Sequence, residues 1–229
     1  MKPNRRNFLQ TGLASLAGMA LSPGLSASEP TPTAYKGVKL GISTYSYWHF
    51  RPPKVSIETV IDKAAELGVE GVDSLHRLMA SEDRAYLSHL KLHAFLNGVD
   101  MISLSIHQDF VSPDREKRQA AIDHTHKCLE LAYEMGIPSI RLNSGRWGTI
   151  RSFDELMANR GEEPVLEGYT EEDGFNWCMD SIWQCVRRAE ACGVVMALEN
   201  HWGLSRTPEG MLRIADAIDS PWLGLLMDT

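Results

Sequence analysis

Cysteine is scarce: four of the 229 residues, none before position 128. An N-terminus without cysteine argues against a lipidated anchor. The four do not form a metal framework. Cys178, Cys185 and Cys192 recur every seven residues along one predicted helix, so neighbours stand about 10 Å apart, too far for a disulfide. They read as small buried apolar residues, while Cys128, on another helix, leaves a pairing with one of them open. No apolar run is long enough for a membrane span, which excludes stable membrane insertion. There is no basic stripe and the net charge is −7, so nucleic acid is excluded as a partner. Neither a Gly-x-Gly-x-x-Gly nor a Walker loop follows the first strand, where a nucleotide-binding fold would carry one.

The N-terminus is patterned. Asn4-Arg5-Arg6-Asn7-Phe8-Leu9-Gln10 reads as a twin-arginine export signal. A mildly apolar stretch, Thr11 to Leu25, follows, and then the small residues Ser26-Ala27-Ser28 as a cleavage site. Residues 1–28 are therefore expected to be a Tat-type signal peptide that sends the protein to a bacterial periplasm. Residues 29–36, with Pro30 and Pro32, read as a linker.

From residue 37 to 229 short apolar runs alternate with amphipathic helices. Strands are predicted at Val38–Tyr45, Val69–Leu75, Met101–His107, Pro138–Asn143, Val194–Glu199 and Leu223–Asp228. Helices are predicted at Ser56–Leu67, about Glu82–Asn97, from Pro113 to before Gly136, Glu171–Cys192, and after Thr207-Pro208. Ser56 serves as an N-cap and Gly68 as a C-terminal stop. This βα repetition builds a parallel sheet. The polar insertion from Ser144 to Tyr169 sits on the side where βα loops form active sites, and reads as a lid or specificity loop.

Polar or aromatic residues end every strand: Tyr45, Tyr47 and Trp48, then Asp73, His107, Asn143, Glu199-Asn200-His201 and Asp228. Functional tips around a whole sheet fit a (β/α)8 TIM barrel, of which about six βα units are present. The barrel is therefore expected to be incomplete at its C-terminus. Glu199 and Asp228 close two buried runs, VVMALENH and LGLLMDT. Two carboxylates brought to one centre form a divalent-metal site. His201 falls two residues past Glu199, on the same side. Tyr45, Trp48 and Trp202 offer aromatic faces to the C–H faces of a sugar. His107, Asp73 and Asn143 offer hydrogen bonds to its hydroxyls. His89, His93, His124 and His126 fall on outer helices and read as surface or packing residues.

The ordered set Gly41-Ile42-Ser43-Thr44-Tyr45, Leu67 to Asp73, Ser105-Ile106-His107, Ala132 to Ile137, Ala197 to His201 and Met227-Asp228-Thr229 resembles the xylose isomerase-like TIM barrels, the sugar isomerases and epimerases. The resemblance implies one divalent ion (Mn, Mg, Co or Zn) on four ligands, of which Glu199 and Asp228 match two and the others would lie beyond Thr229. It implies Glu199 as a catalytic proton carrier and an enediolate or a hydride shift as the route. Asp73 stands where such proteins often have Glu. A small-molecule sugar is the expected partner, and a homo-oligomer is compatible with the chain. The alternatives are a lyase or hydrolase of a keto-sugar or cyclitol in the same barrel, and a sugar-binding protein without catalysis.

Overall fold

Six short strands pair in parallel in sequence order, β1 to β6, in one sheet. They are β1 (Gly41–Ser43), β2 (Gly71–Leu75), β3 (Asp100–Ser105), β4 (Ser139–Leu142), β5 (Val195–Glu199) and β6 (Leu223–Leu226). The computed structural model describes residues 39–47 and 53–228. The predicted signal, the linker and Trp48 lie outside the described residues. Five helices join the strands: α1 (Ile57–Leu67), α2 (Arg84–Leu96), α3 (Arg115–Met135), α5 (Glu171–Cys192) and α6 (Pro208–Ile218). A sixth, α4 (Phe153–Ala158), lies inside the loop after β4. The architecture is α/β, a partial barrel of six parallel strands.

The local chemistry explains the element ends. Ser56 caps α1 by accepting from Thr59 N, and Gly68 closes it at φ 69°, a left-handed position that suits glycine. Thr170 and Asp173 form a reciprocal capping box on α5, and Gly193 ends it. Pro208 opens α6 behind Thr207, where its missing N–H has no helical partner to lose. The strands are shorter than predicted. Thr44–Tyr47 turns into a 3-10 helix, because Thr44 Oγ1 accepts from Leu75 N at 2.9 Å and ties the chain to β2.

The two faces of the sheet differ. Register aligns Leu104, Ile140 and Met196 on one face, all fully buried with Leu142 and Leu198 under the helices. Each such side chain contributes about 1.5–3 kcal/mol. The other face carries Ser43, Asp73, Ser105, Arg141 and, at the end of β5, Glu199. That polar inner face points toward the strand tips where the candidate site lies. All four cysteines are free thiols, so the open pairing of Cys128 resolves to none. Among the described residues no helix is long and apolar enough to cross a membrane.

Candidate functional site

Glu199 ends β5 and is 5% exposed. Arg141, from the middle of β4 and equally buried, donates from Nη1 to its Oε2 at 3.2 Å and Oε1 at 3.4 Å. His201 Nδ1 lies 3.0 Å from Oε2. Burial pushes the Glu199 carboxyl up, but the His201 bond and the Arg141 charge outweigh it and hold the group below its ordinary range. Glu199 is thus a buried carboxylate kept ionised by cationic or N–H partners.

Asp228 lies just beyond β6, and the Asn200 side chain places it. Asn200 Nδ2 donates to the Asp228 carbonyl at 2.7 Å, and Asn200 Oδ1 accepts from Asp228 N at 2.6 Å. The amide extends the β5–β6 ladder by one step, so Asn200 builds the site. One ligand atom each from Glu199, His201 and Asp228 lie within 4.8 Å of one another. Two carboxyl oxygens and an imidazole nitrogen, one carboxyl held ionised, are donors suited to a divalent ion such as Mn²⁺ or Zn²⁺. The residues fit the implied metal.

Beside this cluster opens a cavity of about 330 Å³, lined by the sequence-derived candidates His107, Asn143, His201 and Trp202 and also by Arg77, Gln108, Asp109 and Arg146. His107 Nε2 contacts Tyr45 Oη at 2.6 Å and Arg141 Nη2 at 3.4 Å. Because Arg141 can only donate, Nε2 accepts and the ring proton sits on Nδ1. Burial, then the charges of Arg141 and Arg77, push the His107 pKa down to about 3, so the ring is neutral. Its Nδ1, Gln108 Oε1 and Asn143 Oδ1 are buried without a protein partner. Unpaired buried groups of this kind are rare and point to a ligand. Asp109 Oδ1 accepts from Val111 N and Arg146 N; desolvation pushes its carboxyl up to about 6 despite those bonds.

Asp73, expected at a strand end, lies in the middle of β2 and is internally satisfied. Asp73 accepts from Ser43 Oγ at 2.7 Å and Ser105 Oγ at 2.9 Å, and burial pushes its carboxyl up. It supports the inner face and does not line the cavity, because the two hydroxyls hold it between strands. Tyr45 also stands behind the wall, where it orients His107. Trp147 turns away to pack on Gly174 and Trp177. Trp202 stacks on His201 with centroids 4.6 Å apart. Arg141, Gln108, Asp109 and Arg77 are absent from the sequence-derived set. A lone arginine in the run Ser139–Leu142 was the available signal for the first of them.

The insertion after β4 folds as a lobe around Glu163. This carboxylate takes Arg146 Nη1 at 2.6 Å, Ile150 N at 3.0 Å and Gly148 N at 3.1 Å. Gly145 and Gly203 cross so closely that a Cβ on Gly203 would meet the Gly145 carbonyl at 1.9 Å. Phe153 packs edge-on against Trp202, so the lobe borders the cavity.

Residues 61–229 match the family model described as xylose isomerase-like TIM barrel. The chain is similar in structure to a D-psicose 3-epimerase solved with D-fructose, with TM-score 0.66 and 19% identity, covering 83% of this chain and 63% of that one. It is similar to the D-psicose 3-epimerase of Clostridium cellulolyticum H10, with TM-score 0.62 and 20% identity over 83% of this chain and 63% of that one. A 3-keto-D-glucoside 4-epimerase from E. coli gives TM-score 0.65 and 18% identity over 84% and 68% of the two chains. The chain thus spans less than two thirds of the length of the first two. No curated protein matches it.

Proposed function

The chain belongs to the xylose isomerase-like TIM barrel family, and we propose that it is a metal-dependent sugar isomerase or epimerase. One observation carries the reading. An ionised, buried Glu199, grouped with His201 and Asp228, stands beside a cavity whose walls present unpaired hydrogen-bonding atoms. The neighbours of similar fold named as epimerases of sugars support the substrate class.

In this reading Glu199, Asp228 and His201 hold one divalent ion, which when bound supplies positive charge to the substrate oxygen that gains electron density. Glu199 carries the proton of the carbon beside the sugar carbonyl, and Arg141 keeps it in the basic form. Return of that proton to the neighbouring carbon isomerises the sugar; return to the opposite face of the same carbon epimerises it. Asp109, with its carboxyl near 6, is a second proton carrier on the same cavity. His107 Nδ1–H and Asn143 Oδ1 bind hydroxyls, and Trp202 covers C–H bonds. Residues 1–28 would export the protein to the periplasm, where unphosphorylated sugars are its substrates.

The test is solvent exchange. Ketohexoses incubated with the protein and Mn²⁺ in D₂O should gain deuterium at the carbon next to the carbonyl, and chelation should stop it. Binding of a ketose without exchange or interconversion would overturn the enzyme reading in favour of a sugar-binding protein. Release of a dehydrated product would assign a lyase instead.

A further inference from the structure

A second group of ligand-bearing side chains lies outside this site. His76 opens the short 3-10 turn after β2. His124 and Cys128, four residues apart, share one face of α3. One ligand atom from each of the three lies within 4.8 Å of the others. Cys128 Sγ stands 3.7 Å from His124 Nε2, and the His76 and His124 rings are 5.1 Å apart by centroid. Cys128 is fully buried. Glu82 Oε1 contacts His76 Nε2 at 2.8 Å, and its other oxygen pairs with Lys127.

We propose that His76, His124 and Cys128 form a second metal site, a structural Zn²⁺ clamp between the end of β2 and helix α3. Two imidazoles and a thiolate are a zinc donor set, and three protein ligands leave a fourth position for water. Tetrahedral zinc with bonds of about 2.0–2.3 Å sets ligand atoms roughly 3.3–3.6 Å apart, close to the Cys128–His124 separation already present. Glu82 fixes the His76 ring, as a carboxylate commonly does for a ligating imidazole. Binding releases the Cys128 S–H proton to solvent and forms one Zn–S bond, with no change in oxidation state. The clamp has a use at the main cavity. His76 precedes Arg77, which lines that cavity, so a cation there would pin the backbone that carries Arg77.

Cobalt titration of the full chain tests the site. Co²⁺ should produce a thiolate-to-cobalt charge-transfer band in the near ultraviolet, and one equivalent of Zn²⁺ should erase it. The band should vanish in Cys128→Ser and in His76→Gln, which keeps a polar side chain of similar size and tests the site even if the buried serine harms folding. It should persist in the double variant Glu199→Gln/Asp228→Asn, which separates this clamp from the first site. Glu82→Gln should weaken Zn²⁺ binding about 10–100-fold. No charge-transfer band in the parent chain, or a band that survives in both Cys128→Ser and His76→Gln, would overturn the proposal.

Discussion

Asp73 and Glu199 are two carboxyl groups on the same inner face, one in the middle of β2 and one at the end of β5, and the structure treats them in opposite ways. Asp73 is solvated by two serine hydroxyls, and desolvation wins: its carboxyl is pushed up. Glu199 faces the same burial, but a guanidinium and an imidazole outweigh it, and its carboxyl is held down. Position in the fold gives both groups burial; the partners decide in which direction each carboxyl is shifted. Half of the inner face is therefore scaffolding built from hydroxyls, and the half at β4 to β6 is charged and equipped for chemistry.

The strongest way to break the contrast is to remove the guanidinium. Arg141→Met leaves Glu199 buried without its guanidinium partner and should cost about 3–5 kcal/mol, read from denaturant midpoints. Adding Glu199→Gln should restore much of that loss. A cost under 1 kcal/mol for Arg141→Met would mean that the two carboxyls are alike. Next in size, Glu199→Gln should slow deuterium exchange about 10²–10⁴-fold while the protein stays folded. Asp73→Asn should alter exchange less than about tenfold and stability by about 1 kcal/mol or less. Equal losses in the two variants would erase the division between scaffold and chemistry.

Titration sharpens it further. His107 has a folded pKa depressed to about 3, so the unfolded chain takes up its proton first. The stability it contributes is present above about 6.5 and is lost as pH falls toward 3. His107→Gln should flatten that acid limb in stability measured across pH. Asp109, raised to about 6, has the opposite sign: its contribution is present below about 4 and is lost as pH climbs through 6. Asp109 sits at the cavity mouth, so solvent screening trims the effect to about 1 kcal/mol. Asp109→Asn should remove the loss above pH 6 and leave the His107 limb unchanged.

Much of this was legible in the sequence because periodicity and caps are local. Helix α5 spans the Glu171–Cys192 that the sequence predicts, and the order of six parallel strands follows from the βα alternation. Glu199 and Asp228 were singled out because each closes an apolar run, and the structure groups them with His201, which falls two residues past Glu199. Strand lengths were overestimated, since Thr44 bonds to Leu75 across 31 residues of sequence and no window contains both. Arg141 escaped because its role is set by Glu199, 58 residues away. Asp73 was misplaced for the same reason: only the alignment of Ser43 and Ser105 beside it shows that its oxygens are already engaged. His124 read as a helix-surface residue, because its spacing from Cys128 gains meaning only when β2 delivers His76.

The lobe gathered around Glu163 has a bearing on how this molecule could be re-engineered. Its Glu163 bonds close on its own residues, and it meets the next loop at the backbone crossing of Gly145 and Gly203, the Glu162–Arg206 ion pair and the Phe153–Trp202 contact. It is a cassette: a designer could exchange residues 146–164 for another sequence and reshape the wall beside Trp202 while the strands stay as they are. The transplant has one strict condition at its seam, that both crossing positions remain without a side chain.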